Sequence, residues 1–221
     1  MIEQTNSRVD RMTDPQRDVF DAVMGLDAAR MRGHIVDFQS ARGNDAVVAE
    51  LLVPVLGIIG EMWENGTLSV AHEHHGSQII RNVIGEFRRK GSGPVHGKIV
   101  LACPPGELHD LPAHLFGLML RDRGWQPVVL GADTPWTAIL AAVRAVCADA
   151  CILTGTRPGP LLMHSDRLRE LSTVTKVFIG GGAVNGPAVR GVTPLPLDWP
   201  AAADVVAGAL KTRQNRSVSP A

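Results

Sequence analysis

The stretch Leu101-Ala-Cys-Pro-Pro-Gly-Glu107-Leu-His109-Asp-Leu-Pro112 sets a histidine two residues after a glutamate, between a strand-like run, Lys98 to Cys103, and an amphipathic run, Ala113 to Arg121. Two prolines and a glycine stop the strand, so the Glu-x-His pair falls on a loop at the carboxyl end of the first strand of an α/β unit. In open parallel sheets, ligands bind at that edge. A histidine there can offer one ring nitrogen to a metal while the other donates to the carboxylate, which fixes the tautomer and tunes the basicity of the ligand. The same residues also read as a loop histidine in a turn, beside an acid that caps the next helix.

A second group lies upstream. Trp63 ends a long apolar helix, and His72-Glu73-His74-His75 opens the helix after it. Imidazoles clustered at a helix start suggest zinc, but the run is HExH rather than HExxH and no thiol accompanies it. The plainer reading is a solvated helix end with Trp63 in a core.

The elements that position both groups follow from hydrophobic period. Residues 1–13 are polar and aperiodic and read as a disordered arm. Asp14-Pro15 is a helix start, and Val19, Phe20, Val23 and Met24 recur at helical spacing. A second helix spans about Asp27 to Arg42. The third, about Ala46 to Glu64, is almost wholly apolar, with a kink expected at Pro54, and should be the most buried. The fourth runs from about Ser69 to Lys90. Four helices with short connections form a bundle over residues 14–90. Residues 91–97, Gly-Ser-Gly-Pro-Val-His-Gly, are a linker by composition.

From residue 98 to 211 strands and helices alternate, with strands at Lys98 to Cys103, Gln126 to Leu130, Ala150 to Leu153 and Lys176 to Ile179. Helices are expected at Ala113 to Arg123, Thr134 to Ala148, Leu161 to Leu171 and Ala201 to Lys211. This pattern predicts a Rossmann-like, flavodoxin-like domain with a parallel sheet. Residues 212–221 read as a disordered tail. The fold class is thus α/β, a four-helix bundle followed by a Rossmann-like domain.

Composition narrows the function. The 221 residues carry 22 basic and 22 acidic side chains, so the overall basic field of a protein that grips nucleic acid by itself is missing. Three cysteines, without CxxC spacing, read as reduced residues of a cytoplasmic protein. No segment is expected to reach the length of an uninterrupted membrane span, and the amino terminus lacks a signal-peptide layout.

Trp63, followed after nine residues by Glu73-His74, together with Glu107-x-His109 at the first strand end, resembles the cobalamin-binding module of light-sensing regulators of the CarH and AerR kind. The resemblance covers roughly residues 15 to 211. It implies a helical bundle whose Trp63, Glu73 and His74 cap the upper face of a corrin, and a Rossmann-like domain whose His109, oriented by Glu107, is the lower axial cobalt ligand. In the general cobalamin-domain pattern, Asp-x-His-x-x-Gly precedes Ser-x-Leu and then Gly-Gly. Here Glu107-x-His109-x-x-Pro112 is followed, 41 residues on, by Thr154-Gly155-Thr156, and Gly180-Gly181-Gly182 comes after the fourth strand. Leu130-Gly131-Ala132-Asp133-Thr134-Pro135 resembles the family's second strand-to-helix turn. By this resemblance Gly131, Thr154, Gly181 and Gly182 line the cofactor's nucleotide tail, where glycines let backbone approach closely. Pro112 and Thr156 depart from the pattern.

Two further departures shape the expected function. The CarH branch has a histidine directly after the motif tryptophan that captures cobalt after photolysis; this chain has Glu64 there. Water, or one of His72, His74 and His75, would take its place, with His74 favoured. The resemblance also implies a winged-helix DNA-binding domain in front, for which this sequence has no room. The expectation is therefore a stand-alone cobalamin photosensor, not an enzyme, that binds adenosylcobalamin or methylcobalamin, with hydroxocobalamin also in range. It would act through a separate DNA-binding regulator or a homo-oligomer, with no direct DNA binding and no membrane association. The rival is a corrinoid methyl carrier, which needs an open upper face. A dinucleotide-binding oxidoreductase could lean on Gly180-Gly-Gly-Ala-Val-Asn-Gly186, but that string comes late in the sheet and lacks the following acid.

Overall fold

The computed structural model describes residues 2–87 and 95–217. It divides into two compact units, Met1–Arg88 and Arg89–Ala221.

The first unit is helical: α1 (Ile2–Asp10), α2 (Asp14–Met24), α3 (Ala28–Arg42), the single turn α4 (Asn44–Ala46), a π-helical segment (Val47–Leu52), α5 (Val53–Glu64) and α6 (Val70–Glu86). The arm expected over residues 1–13 is helical from Ile2 to Asp10. A short polar helix gains little by itself, but α1 packs on α5, where Arg8 pairs with Glu61 and Thr5 is buried. Helix α2 starts at Asp14 with Pro15 in its first turn. Helix α3 is capped by Asp27, whose carboxylate accepts the Arg30 backbone N–H at 3.0 Å, and it ends on Gly43 at φ 88°.

The expectation at Pro54 is a kink; the structure shows a π-helical segment just ahead of it. Proline has no N–H for the carbonyl four residues back. That carbonyl, of Glu50, accepts the Gln16 side-chain amide at 2.6 Å, and the preceding residues widen into the π-helical segment, a known way of accommodating such a break. Gln16 also accepts the Thr13 backbone N–H at 3.1 Å, so one side chain ties the start of α2 to the proline break. Joined through the π-helical segment, Asn44–Glu64 forms one run of 21 residues. This corrects the expectation that no segment approaches a membrane span: by length and composition this helix suffices. Its Val47, Val48, Leu51 and Leu52 are buried within the helical unit. Helix α6 is described as far as Glu86, and the expected extension over 88–90 lies outside the described residues, as do linker residues 91–94.

The second unit comprises β1 (Gly97–Ala102), α7 (Leu111–Asp122), β2 (Trp125–Gly131), α8 (Trp136–Ala145), β3 (Ala150–Thr154), α9 (Gly159–Leu162), α10 (Ser165–Val174), β4 (Lys176–Gly180), a 3₁₀ turn (Gly181–Asn185), β5 (Val192–Pro194) and α11 (Trp199–Ser217). The five strands are all parallel, in the order β2-β1-β3-β4-β5, the flavodoxin-like arrangement that the alternating pattern predicts. Strands β1 and β3 lie inside the sheet, and their unbroken apolar runs are buried on both faces.

Three elements differ from expectation. The helix expected at Leu161 to Leu171 is two helices, α9 and α10, separated around His164. A fifth strand, too short to show a period, pairs with β4 at the sheet edge, where Pro194 is tolerated. Helix α11 continues to Ser217, so residues 212–217 of the expected tail are helical, and 218–221 lie outside the described residues.

Candidate functional site

The strand order reverses between β1 and β3, and the loops leaving those two strands flank the crevice where such sheets bind ligands. The β1 loop holds Glu107 and His109; the β3 loop holds Thr156. Glu107 is 3% exposed and both oxygens of its carboxylate are bonded twice. Its Oε1 accepts the backbone N–H of His109 at 3.0 Å and pairs with His109 Nδ1 at 2.5 Å. Its Oε2 accepts the Thr156 backbone N–H at 2.6 Å and the Thr156 hydroxyl at 2.9 Å.

Burial by itself would raise the Glu107 pKa. The four bonds, led by the Thr156 backbone N–H, outweigh it and hold the carboxyl below its ordinary value of 4.5. An ionised Glu107 is an acceptor only, so Nδ1 of His109 carries the proton. In the neutral ring Nε2 is the lone-pair nitrogen, on a side chain that is 54% exposed. A neutral imidazole with its second nitrogen held by a carboxylate is the donor that a transition metal such as cobalt accepts. The residues present therefore fit an imidazole metal ligand at His109.

The loop is held from the β2 side as well. The backbone N–H of Cys103 donates to the Gly131 carbonyl at 3.1 Å, that of Thr134 to Cys103 at 2.8 Å, and that of Asp133 to Glu107 at 2.8 Å. Asp133 accepts the Gly106 N–H at 2.8 Å. Gly131 sits at φ 93°, a left-handed conformation that suits glycine. Its carbonyl also accepts the Thr134 hydroxyl at 3.0 Å. Neither Thr156 nor Asp133 was singled out as a site residue by sequence. Their signal is that each follows a strand end on either side of β1.

Thr154 is turned elsewhere. Its hydroxyl lies 3.3 Å from Cys103 Sγ in a buried pair, below the loop that carries His109. Cys103 is pushed up to about 11, chiefly by burial. Gly181, at φ 73°, and Gly182 approach protein backbone: a Cβ at Gly181 would lie 2.7 Å from the Gly155 carbonyl oxygen, and one at Gly182 would overlap that of Thr156.

In the helical unit, Trp63 stands at the end of α5 with 43% of its surface exposed, which overturns the reading of Trp63 as core. On α6, Glu73 Oε2 pairs with His74 Nδ1 at 2.5 Å, and its Oε1 accepts the Ser77 hydroxyl at 2.7 Å. His74 repeats the pattern of His109, with Nδ1 committed to a carboxylate and the rest of the ring exposed. His72 Nδ1 lies 3.0 Å from the Ser69 hydroxyl, while His75 Nε2 is buried without a hydrogen-bond partner. Among the described residues, no three His, Cys, Asp or Glu side chains gather as a metal site.

The α/β unit thus assembles one clamped imidazole from three loops, and the helical unit presents an exposed indole and a second carboxylate-held imidazole. Comparison with known proteins follows these features. The HTH-type transcriptional repressor CarH of Myxococcus xanthus is 37% identical over 138 residues, 61% of this chain and 46% of the repressor. The methanol–corrinoid protein of Methanosarcina barkeri (strain Fusaro / DSM 804) is 25% identical over 173 residues, 75% of this chain and 63% of the relative. The chain thus spans less than two thirds of either relative. The structure of the Methanosarcina barkeri monomethylamine corrinoid protein shares the fold, with a TM-score of 0.68 and 17% identity over 86% of this chain and 96% of that one. Residues 16–87, within the helical unit, match the family model described as the B12 binding domain, and together these likenesses support cobalamin binding.

Proposed function

We propose that this chain is a cobalamin-binding photosensor that regulates transcription through a partner. The observation that carries the reading is Trp63. A large ring left 43% exposed at a helix end is available to cover the upper face of a bound corrin, together with Glu73 and His74. The 37% identity to a repressor over 138 residues supports the regulatory part.

Cobalamin, when bound, would supply a light-sensitive cobalt–carbon bond. His109 would hold the cobalt, with Glu107 keeping the Nδ1 proton in place, Trp63 would pack against the cofactor's organic group, and His74 would be a second imidazole donor. A resulting change in domain arrangement or assembly would be the signal. The chain itself catalyses nothing on this reading, works in the cytoplasm, contacts no membrane, and meets DNA through a separate regulator or as a homo-oligomer.

A second reading, a corrinoid methyl carrier, is supported by the likeness to the methanol–corrinoid protein, which extends over 75% of this chain. One experiment separates the two. The protein is mixed with adenosylcobalamin in the dark, then illuminated, with absorption spectra and size-exclusion chromatography of both samples. An irreversible spectral change with an altered elution volume is expected for the sensor. Binding with an unchanged elution volume favours the carrier, and no binding of any cobalamin refutes both.

A further inference from the structure

The loops that leave the five strands form the edge of the sheet where ligands bind. They cover residues 103–110, 132–135, 155–158, 181–185 and 195–198, and between them they carry four carboxylates and one Lys or Arg side chain, Arg157. Each acid has a partner other than Arg157. Glu107 is taken by His109 and Thr156, Asp110 stands 3.6 Å from His114 Nε2, Asp133 accepts the Gly106 N–H and Asp198 the Ala201 N–H. Arg157 is exposed, and among the described residues no hydrogen bond or ion pair holds its guanidinium. An anion laid against this edge therefore has one cationic side chain of fixed charge to meet.

The backbone on both sides of that arginine is held. Thr156 before it donates its N–H to Glu107 Oε2 at 2.6 Å, and its carbonyl lies where a Cβ on Gly182 would overlap it. Pro158 after it has its φ, −70°, set by the ring. The arginine stem starts from a fixed point while the guanidinium remains unengaged. Such a donor gives up little backbone freedom when an anion arrives, and its planar fork can take two oxygens of one phosphate.

We propose that Arg157 binds the phosphodiester of the cofactor's nucleotide tail. The side chains of the corrin end in neutral amides, so that phosphodiester is the one fixed negative charge of cobalamin, and Arg157 is the one fixed positive side chain on the edge where His109 stands. The inference rests on the reading of the cofactor as cobalamin, and it gives Arg157 a part in telling a complete corrinoid from one without the tail.

Cobinamide has the same corrin and lacks the nucleotide tail with its phosphate. Absorbance titrations of the full chain with hydroxocobalamin and with hydroxocobinamide, in the dark and in phosphate-free buffer, give the ratio of the two affinities. Arg157→Gln should lower that ratio about tenfold by weakening cobalamin alone, as suits loss of a hydrogen bond to a charged group. Arg157→Lys keeps the charge without the fork and should recover part of it. The ratio in the parent should also fall with added salt, because an exposed ion pair is screened. A ratio in Arg157→Gln within about twofold of the parent overturns the inference, and so does equal weakening of both corrinoids. A parent that binds neither corrinoid overturns the cobalamin reading and the inference with it.

Discussion

Glu107 Oε1 bonds to His109 twice, through the backbone N–H at 3.0 Å and through the ring at 2.5 Å. A two-residue spacing closes this small loop without help from any distant element, and the side chain leaves it with Nδ1 turned inward. The opposite oxygen, Oε2, is held across the crevice by the loop of a different strand. One carboxylate therefore links a local turn to the order of strands in the sheet.

Replacing Glu107 by Gln tests that link. Whichever way the amide is turned, its NH₂ group meets either the His109 donors or the Thr156 donors, where the carboxylate offered acceptors on both sides. Cobalamin affinity, followed by absorbance titration, should drop 10- to 100-fold, as is typical on loss of a residue that orients a metal ligand, by roughly the range known for such sites. An affinity within about twofold of the parent would rule out the orienting role.

The same carboxyl makes acid stability a readout. Its pKa in the folded chain lies below the ordinary value of 4.5, so the folded state binds its proton less readily than the unfolded chain does. The resulting stability is fully present above about 4.5 and is lost as pH falls through the lower, folded value. Denaturant unfolding of the parent and of Glu107→Gln should therefore differ most near neutrality and converge in acid. A constant gap down to pH 3 contradicts this account.

Trp63→Ala should cost the apo protein little, within about 1 kcal/mol, because the ring is substantially exposed. The light-induced spectral and elution changes should be altered while dark binding persists. Wild-type photochemistry in this variant refutes the capping role.

The thiols should divide cleanly. Cys151 is pushed up to about 12 by burial and Cys103 up to about 11, and both are buried, whereas Cys147 is exposed. At pH 8 a disulfide reagent should label one thiol per native chain quickly and the other two only on unfolding. Rapid labelling of all three would contradict this core packing.

Much of the architecture was readable before any coordinates. Buried parallel strands are apolar on both faces, so β1, β3 and β4 stand out as short runs between turn residues, and these and the edge strand β2 lie within about one residue of their expected bounds. Helix α2 shows its period at Val19, Phe20 and Val23, and the break at Pro54 follows from a missing N–H. Strand β5, with three residues, has no period to read. Helix α1 is polar and short, and becomes an element through its docking on α5, which no local pattern announces.

The site divides along the same line. Sequence alone placed Glu107 and His109 on one loop and Glu73 beside His74, near enough for the bonds that the structure shows. Only the tertiary structure decided that Thr156, 49 residues from Glu107, completes the clamp, and that the Thr154 hydroxyl turns to Cys103 instead. Those partners depend on β3 lying beside β1, a relation that hydrophobic period cannot express. The glycines after β4 belong to the same class: their spacing marks a close approach, and the fold decides that the neighbouring backbone at residues 155 and 156 is what they approach.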